Sequence, residues 1–215
     1  MPGLSSIYPN MATQLDVCNA ALAMIGDNRV TSTEFTAGTL PRVIEVKAQF
    51  WLALDELLRS HVWQWAKSRE TLVETTEPAF GWEHAFDLPE GFITLISLNE
   101  SDIYSQLDYF EIEGGTLLTD ETDANVVFIK RPAEEDIDDF LGFVDPLAMT
   151  AFITLLASKV ATKQTDGQEK SAQLLNRYYN YELPRARTRS ANEVKRPVND
   201  SDSRWMASRW YSTNG

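Results

Sequence analysis

The sequence predicts an α+β fold: an antiparallel bundle of about four helices, an antiparallel β-sheet inserted within it, and an extended C-terminal arm. Three observations predict it. Val43, Val46, Phe50, Leu54, Leu57 and His61 recur at steps of three and four, the period of one helix face, and Trp51 and Leu58 widen the stripe. From Arg69 to Arg131 the period shortens to brief β-branched and aromatic runs punctuated by proline and glycine. After Asp145-Pro146 the helical period returns. The divisions expected are a flexible tail over 1–12, a helical half over 13–68, a sheet insert over 69–132, a second helical half over 133–193 and the arm over 194–215.

Each element has a local reason. Thr13 with Asp16 three residues later reads as a capping box, with Asp in place of the usual Glu. Leu15, Cys18, Leu22 and Ile25 then mark one helix face, and Gly26 supplies a left-handed stop. Residues 27–38 read as loop. The second helix opens near Leu40-Pro41, where proline is tolerated in the first turn. Strands are expected at 71–75, 82–88, 92–98, 109–113, 116–119 and 125–131. Gly114-Gly115 joins two of them as a two-residue hairpin, because both turn positions need positive φ. Residues 134–139 read as an acidic linker, with Asp145-Pro146 as cap and first turn of a third helix carrying Leu147, Ala151, Phe152, Leu155 and Leu156. A fourth helix carries Ala172, Leu175, Tyr179, Leu183 and Ala186. Pro184 within it is expected to kink or end it, since proline lacks a donor and clashes one turn back.

The 215 residues suit one domain with a subdomain insert. No apolar run reaches the roughly 18 residues of a membrane span. The first ten residues lack the charged and apolar regions of a signal peptide, so export is not expected, and Met11 competes with Met1 as the start. A single cysteine, Cys18, excludes an internal disulfide framework and is expected to be a small core residue. Net charge is −13 and uneven. Residues 70–145 carry twenty acidic side chains and only two basic ones, Lys130 and Arg131, whereas residues 146–215 carry eleven basic and six acidic. This fits either a plain acidic surface or a polarised molecule whose ends meet different partners. It does not fit tight sequence-specific DNA binding, which wants a dominant basic face.

Chemistry is sparsely supported. His61 lies on the predicted core stripe, and His84 beside Glu83 in a strand would point to the opposite face from it. No Cys/His cluster has zinc spacing, and Asp136, Asp138 and Asp139 lack the glycine and distal glutamate of a calcium loop. There is no nucleophile elbow and no phosphate-binding loop. Paired carboxylates for glycoside hydrolysis occur by chance among so many acids, and leave a peptidoglycan hydrolase as the alternative to a structural protein. No catalytic residue, cofactor or metal is expected.

Two aromatic groups stand out. Trp63 and Trp65, followed by Arg69, sit where the longest apolar stripe runs into the first strand. Each tryptophan can bury about 150–250 Å², so the junction reads as a packed joint, with one ring placed to lean on a neighbouring subunit. At the other end, Ser203-Arg204-Trp205 recurs as Ser208-Arg209-Trp210, followed by Tyr211. Tryptophan and arginine dominate interface hot spots. The segment either packs back on its own domain or reaches out as an arm that seats Arg204, Trp205, Arg209, Trp210 and Tyr211 in grooves of a partner or neighbouring subunit.

Several blocks, taken in order, resemble one family. They are Ala20-Ala21-Leu22-Ala23-Met24-Ile25-Gly26-Asp27 with Val30-Thr31-Ser32; the stretch from Leu57-Leu58-Arg59 through His61, Trp63, Trp65-Ala66 and Arg69; Pro78 to Gly91 with its aromatics running into Leu88-Pro89; Phe110 to Asp120; and Asp145-Pro146-Leu147, Tyr178-Tyr179 and Ala186-Arg187. Over residues 14–193 the set is similar to the tail tubular protein A family, the head-to-tail adaptors of tailed bacteriophages. The resemblance implies a virion protein at the head–tail junction, present in the host cytoplasm during assembly. It implies a homo-oligomeric ring, a dodecamer, below the portal. One side would bind the portal protein and the other the next tail component, with DNA passing through a central channel without sequence-specific binding and with no membrane contact. The bundle would line the channel or meet neighbours, the sheet would face outward or tailward, and the arm would reach the portal. An acid-lined channel would repel duplex DNA, since phosphate contacts dominate nucleic-acid affinity. Pro184 departs from the pattern, and the two Ser-Arg-Trp units lie beyond the matched blocks.

Overall fold

A computed structural model describes residues 12–75, 80–99, 101–102, 110–162 and 167–193. The chain is mixed helix and antiparallel sheet, in the order α1 (Gln14–Ile25), α2 (Ser32–Ala37), α3 (Pro41–Ser60), β1 (Lys67–Thr71), β2 (His84–Asp87), β3 (Phe92–Leu98), β4 (Ser101–Asp102), β5 (Phe110–Glu113), β6 (Thr116–Thr119), β7 (Asn125–Lys130), α4 (Ile137–Phe143), α5 (Pro146–Ala161), α6 (Gly167–Arg177) and α7 (Leu183–Ala191). The arm residues 194–215 lie outside the described residues.

The helical layer forms around α5. This helix is apolar nearly all round, and Ala148, Ala151, Phe152, Leu155, Leu156, Ala157 and Val160 are all buried. Such a helix must be covered on several sides, and α1, α3, α6 and α7 all pack on it. Helix α1 starts at the Thr13–Asp16 capping box and ends at Gly26, whose φ of 82° only glycine adopts cheaply. Asp145 accepts a hydrogen bond from the Leu147 N–H at 2.9 Å and so caps α5.

Two short helices replace expected loops. Residues 27–38 contain α2, opened by a Thr31–Glu34 capping box and closed by Gly38. None of its residues is buried, so it left no hydrophobic period. The 134–139 run is not a linker, because α4 begins at Ile137 and buries Ile137 and Leu141. One of its acids is structural: Asp138 Oδ1 accepts the Gln14 N–H at 2.7 Å, satisfying a first-turn donor of α1.

Of the two effects expected of Pro184, an end does not occur: the helix runs on through it, with its regular turns interrupted just upstream. The preceding residues, Tyr178–Glu182, form a wide turn in which the Leu183 N–H reaches back to the Tyr178 carbonyl. Widening the turn accommodates the missing donor and the proline ring, and α6 continues into α7. It also places an extra residue in the helix. Upstream of the turn the buried face therefore falls on Ser171 and Tyr178, while Ala172 and Tyr179 are exposed. Arg177 and Glu182, five apart, become neighbours at 2.8 Å and give the buried carboxylate of Glu182 its partner.

The insert is two sheets rather than one. β1-β7-β3-β4 form a four-stranded sheet and β2-β6-β5 a three-stranded one. β1 starts at Lys67, earlier than the predicted 71–75 strand, and pairs with β7 from Lys67 opposite Ile129 to Thr71 opposite Asn125. Beyond it, among the described residues, only Glu74 bridges, to Phe86. Gly114 and Gly115, with φ of 56° and 93°, turn β5 into β6. The larger sheet is a middle layer. Ile93 and Ile129 join the helical core, whereas Leu95, Leu98, Val126 and Phe128 pack with Phe86 and Leu117 of the smaller sheet. A strand covered on both faces reads as a continuous apolar run, and Val126-Val127-Phe128-Ile129 is one.

Candidate functional site

The helices meet the sheets through a row of rings. α3 ends at Ser60, and His61 takes extended backbone (φ −161°), so it is half-buried just past the helix rather than on its core stripe. The His61 ring meets Trp63 edge-on at 4.9 Å, Trp63 stacks on Trp65 at 5.5 Å and 29°, and Trp65 meets Phe140 of α4 edge-on at 5.5 Å. Trp63 is 0% exposed, and its indole N–H donates to the Leu57 carbonyl at 2.6 Å, satisfying one of the free acceptors at the end of α3. Trp65 is half-buried, and its indole nitrogen has no hydrogen-bond partner among the described residues.

Arginines tie the same region together. Arg131, at the end of β7, lies over the Trp51 ring at 4.6 Å and pairs with Asp55 of α3 at 3.2 Å. Arg187 of α7 donates to the Ser60 carbonyl at 2.6 Å. The Ser190 hydroxyl accepts the Gln64 N–H at 3.3 Å. Arg69, named with the tryptophans from the sequence, is an exposed residue of β1 opposite Val127 and takes no part in the ring row.

Between the joint and α4 runs a cleft of about 570 Å³, walled by Trp65, Phe140 and Phe143. Lys67, Arg69, Lys130 and Arg131 are the four basic residues between positions 60 and 158, and all but Arg69 line this cleft, facing Glu90, Asp136 and Asp139. Burial, with Arg69 nearby, lowers the Lys67 ammonium from its usual range. Among the described residues, Ser68 is the only hydroxyl in the lining, and no histidine accompanies it there. Mixed charge over an aromatic wall suits contact with protein side chains.

The second feature is the outer face of α3. Ile44, Ala48 and Leu52 recur every four residues on the side turned away from the core, with Ile44 55% and Leu52 58% exposed. Glu56, one turn further, accepts the Tyr179 hydroxyl at 3.1 Å and pairs with Lys159 at 2.7 Å, so the ridge runs on into the exposed ring of Tyr179. Periodicity showed the inward stripe of this helix and left the outward one unremarked, although the four-residue spacing was there to be read.

The histidines do not form a site. Among the described residues no group of three or more His, Cys, Asp or Glu side chains could hold a metal, and no helix is long and apolar enough to cross a membrane. Burial pushes the Cys18 thiol up to about 12, which makes it a poor nucleophile. His84 Nδ1 lies 2.6 Å from Glu74, a contact the sequence did not suggest. The hydrogen bond to that carboxylate, with Glu83 and Asp120 nearby, raises the His84 pKa above its ordinary 6.5. Burial, with Arg187 and Lys67 nearby, lowers that of His61. The two should therefore titrate in opposite directions from 6.5. In a pH series of imidazole NMR resonances, Glu74→Gln is expected to bring the His84 value down and leave that of His61 unmoved. His84 stabilises the fold below about pH 6.5, and this is lost as pH rises through its folded value, whereas His61 costs stability as pH falls through its own. Coincident titration of both rings would contradict the assigned contacts.

Trp63 and Trp65 are thus brought together with Phe140 and kept largely inside. Arg204, Trp205, Arg209, Trp210 and Tyr211 lie outside the described residues. In comparisons with known families and with curated proteins, no family model and no curated protein matches the chain.

Proposed function

We propose that this chain is a head-to-tail adaptor of a tailed bacteriophage, an assembly protein rather than a catalyst. It closes into a homo-oligomeric ring, a dodecamer, between the portal protein and the next tail component, and leaves a channel for DNA. The observation that carries this reading is the apolar ridge Ile44–Ala48–Leu52 on the outward face of α3. Glu45, Asp55 and Glu56 flank this ridge, and an aligned apolar ridge rimmed by charge suits contact with another protein. The ordered sequence blocks that resemble tail tubular protein A name the assembly.

The chemistry of the rest agrees. The joint rings fix the helices against the sheets, so a subunit can pass load between portal and tail without hinging. The helices α1, α3, α5 and the α6–α7 rod form the bundle of this reading, and the Ser-Arg-Trp arm supplies its aromatic anchors. The exposed acids Glu134, Glu135 and Asp136 give the surface a sign that repels DNA phosphates. Asp138 is set apart from them by its bond to α1. Virion localisation and the absence of a cofactor follow from the same reading.

The test mixes the full chain with the portal ring and follows mass by light scattering. A ring-sized complex is expected. Absence of any complex, together with a cleared zone on peptidoglycan in a zymogram, would overturn the adaptor in favour of the hydrolase.

A further inference from the structure

The outer face of the smaller sheet carries a groove whose chemistry mirrors the C-terminal segment. The register sets Asp87, Thr116 and Glu113 in one cross-strand row and Ala85, Leu118 and Glu111 in the next. Side chains alternate along a strand, so these residues share one face, while Phe86 and Leu117 take the other and are buried. With Phe80 and Trp82 from the approach to β2, the outer face lines a groove of about 750 Å³.

Two properties distinguish it from a solvated face. Asp87, Glu111 and Glu113 sit together on it, and none of them makes an ion pair among the described residues. Phe80 is 88% exposed at its edge. Like charges on one sheet face repel, and an uncovered phenyl ring is costly, so a cationic and aromatic ligand would relieve both. The chain contains one. Residues 194–215 carry Lys195, Arg196, Arg204 and Arg209 against Asp200 and Asp202, and the dipeptide Arg-Trp occurs in this sequence only at 204–205 and 209–210.

We propose that this groove binds the Ser203–Tyr211 segment of a neighbouring copy. The guanidinium groups of Arg204 and Arg209 pair with the carboxylates, and the indoles of Trp205 and Trp210 lie against Phe80, Trp82 and Leu118. The choice of a neighbour rests on the ring reading. In a closed ring each subunit offers one groove and one arm, a head-to-tail contact that leaves neither unmatched. The nine residues between Glu193 and Ser203 let the segment start up to about 35 Å from the end of α7 when extended.

The test swaps charge across the contact in full-length chains. One variant carries Glu111→Arg and Glu113→Arg, the other Arg204→Glu and Arg209→Glu. Each alone is expected to need about a hundredfold more protein to assemble than wild type, alone or on a portal ring. An equimolar mixture is expected to regain the assembled mass, because only contacts between copies are restored in it. If a chain bearing all four substitutions regains tryptophan burial but the mixture gains no mass, the groove is filled by its own chain and the neighbour is overturned. If both variants assemble like wild type, groove and arm are not partners, and the ring reading stands without them. If wild type assembles neither alone nor on a portal ring, the ring reading fails and this proposal with it.

Discussion

Trp63→Ala is expected to lower the unfolding free energy by about 3–5 kcal/mol, the range for removing a buried tryptophan and leaving a cavity. The ring is fully buried between His61 and Trp65, and its N–H serves the Leu57 carbonyl at the end of α3. The cut therefore opens a void where the helices meet the sheets and removes one of two side-chain donors to that carbonyl, which keeps the Ser60 hydroxyl at 2.7 Å, so the void is the larger cost. A domain typically has only about 5–15 kcal/mol in total, so the variant should be close to unfolding at 37 °C. Trp63→Phe keeps part of the volume and loses the hydrogen bond, and should fall between. Trp65→Ala should cost less, because that ring is half-buried. Urea unfolding followed by circular dichroism separates these cases. A loss under about 1 kcal/mol for Trp63→Ala would mean that the joint is not packed.

The second large effect falls on assembly and not on folding. Ile44→Lys with Leu52→Lys places two ammonium groups on a helix face that already holds Glu45, Glu56 and Asp55. The monomer should unfold within about 0.5 kcal/mol of wild type, as exposed substitutions do. Ring closure should suffer heavily. Burying each of these side chains contributes roughly 1.5–3 kcal/mol, so the pair is worth about a hundredfold or more per subunit contact. Analytical ultracentrifugation against the monomer's unfolding curve distinguishes the two. Assembly unchanged in the double variant would remove the ridge from the interface.

These two sites show what a sequence gives up and what it keeps. α1, α3 and α5 were legible because each has a cap or proline start and an apolar period, and the hairpin was legible from Gly114-Gly115. What escaped had a different signal. α2 buries nothing, so only its Thr31–Glu34 box announced it. α4 lies under a run of acids whose composition suggested solvent, yet Ile137 and Leu141 alternate at helical spacing beneath them. The wide turn before Pro184 shifted the buried face of α6 by one residue, a displacement that a fixed period cannot represent. The two-sheet arrangement depends on pairing at long range, which runs of β-branched residues do not specify. At the joint, the tryptophans were visible as a pair two residues apart, but Phe140, Arg131 and Arg187 arrive from more than 60 positions away and had no local mark.

The adaptor account meets its most direct test in the copy number of the complex with the portal. Native mass spectrometry of the portal ring saturated with the full chain should show a dodecameric complement of subunits, and the Ile44→Lys, Leu52→Lys variant should leave the portal bare or sparsely and unevenly occupied. A portal that takes up no wild-type chain, or takes up single copies without closing a ring, would contradict it.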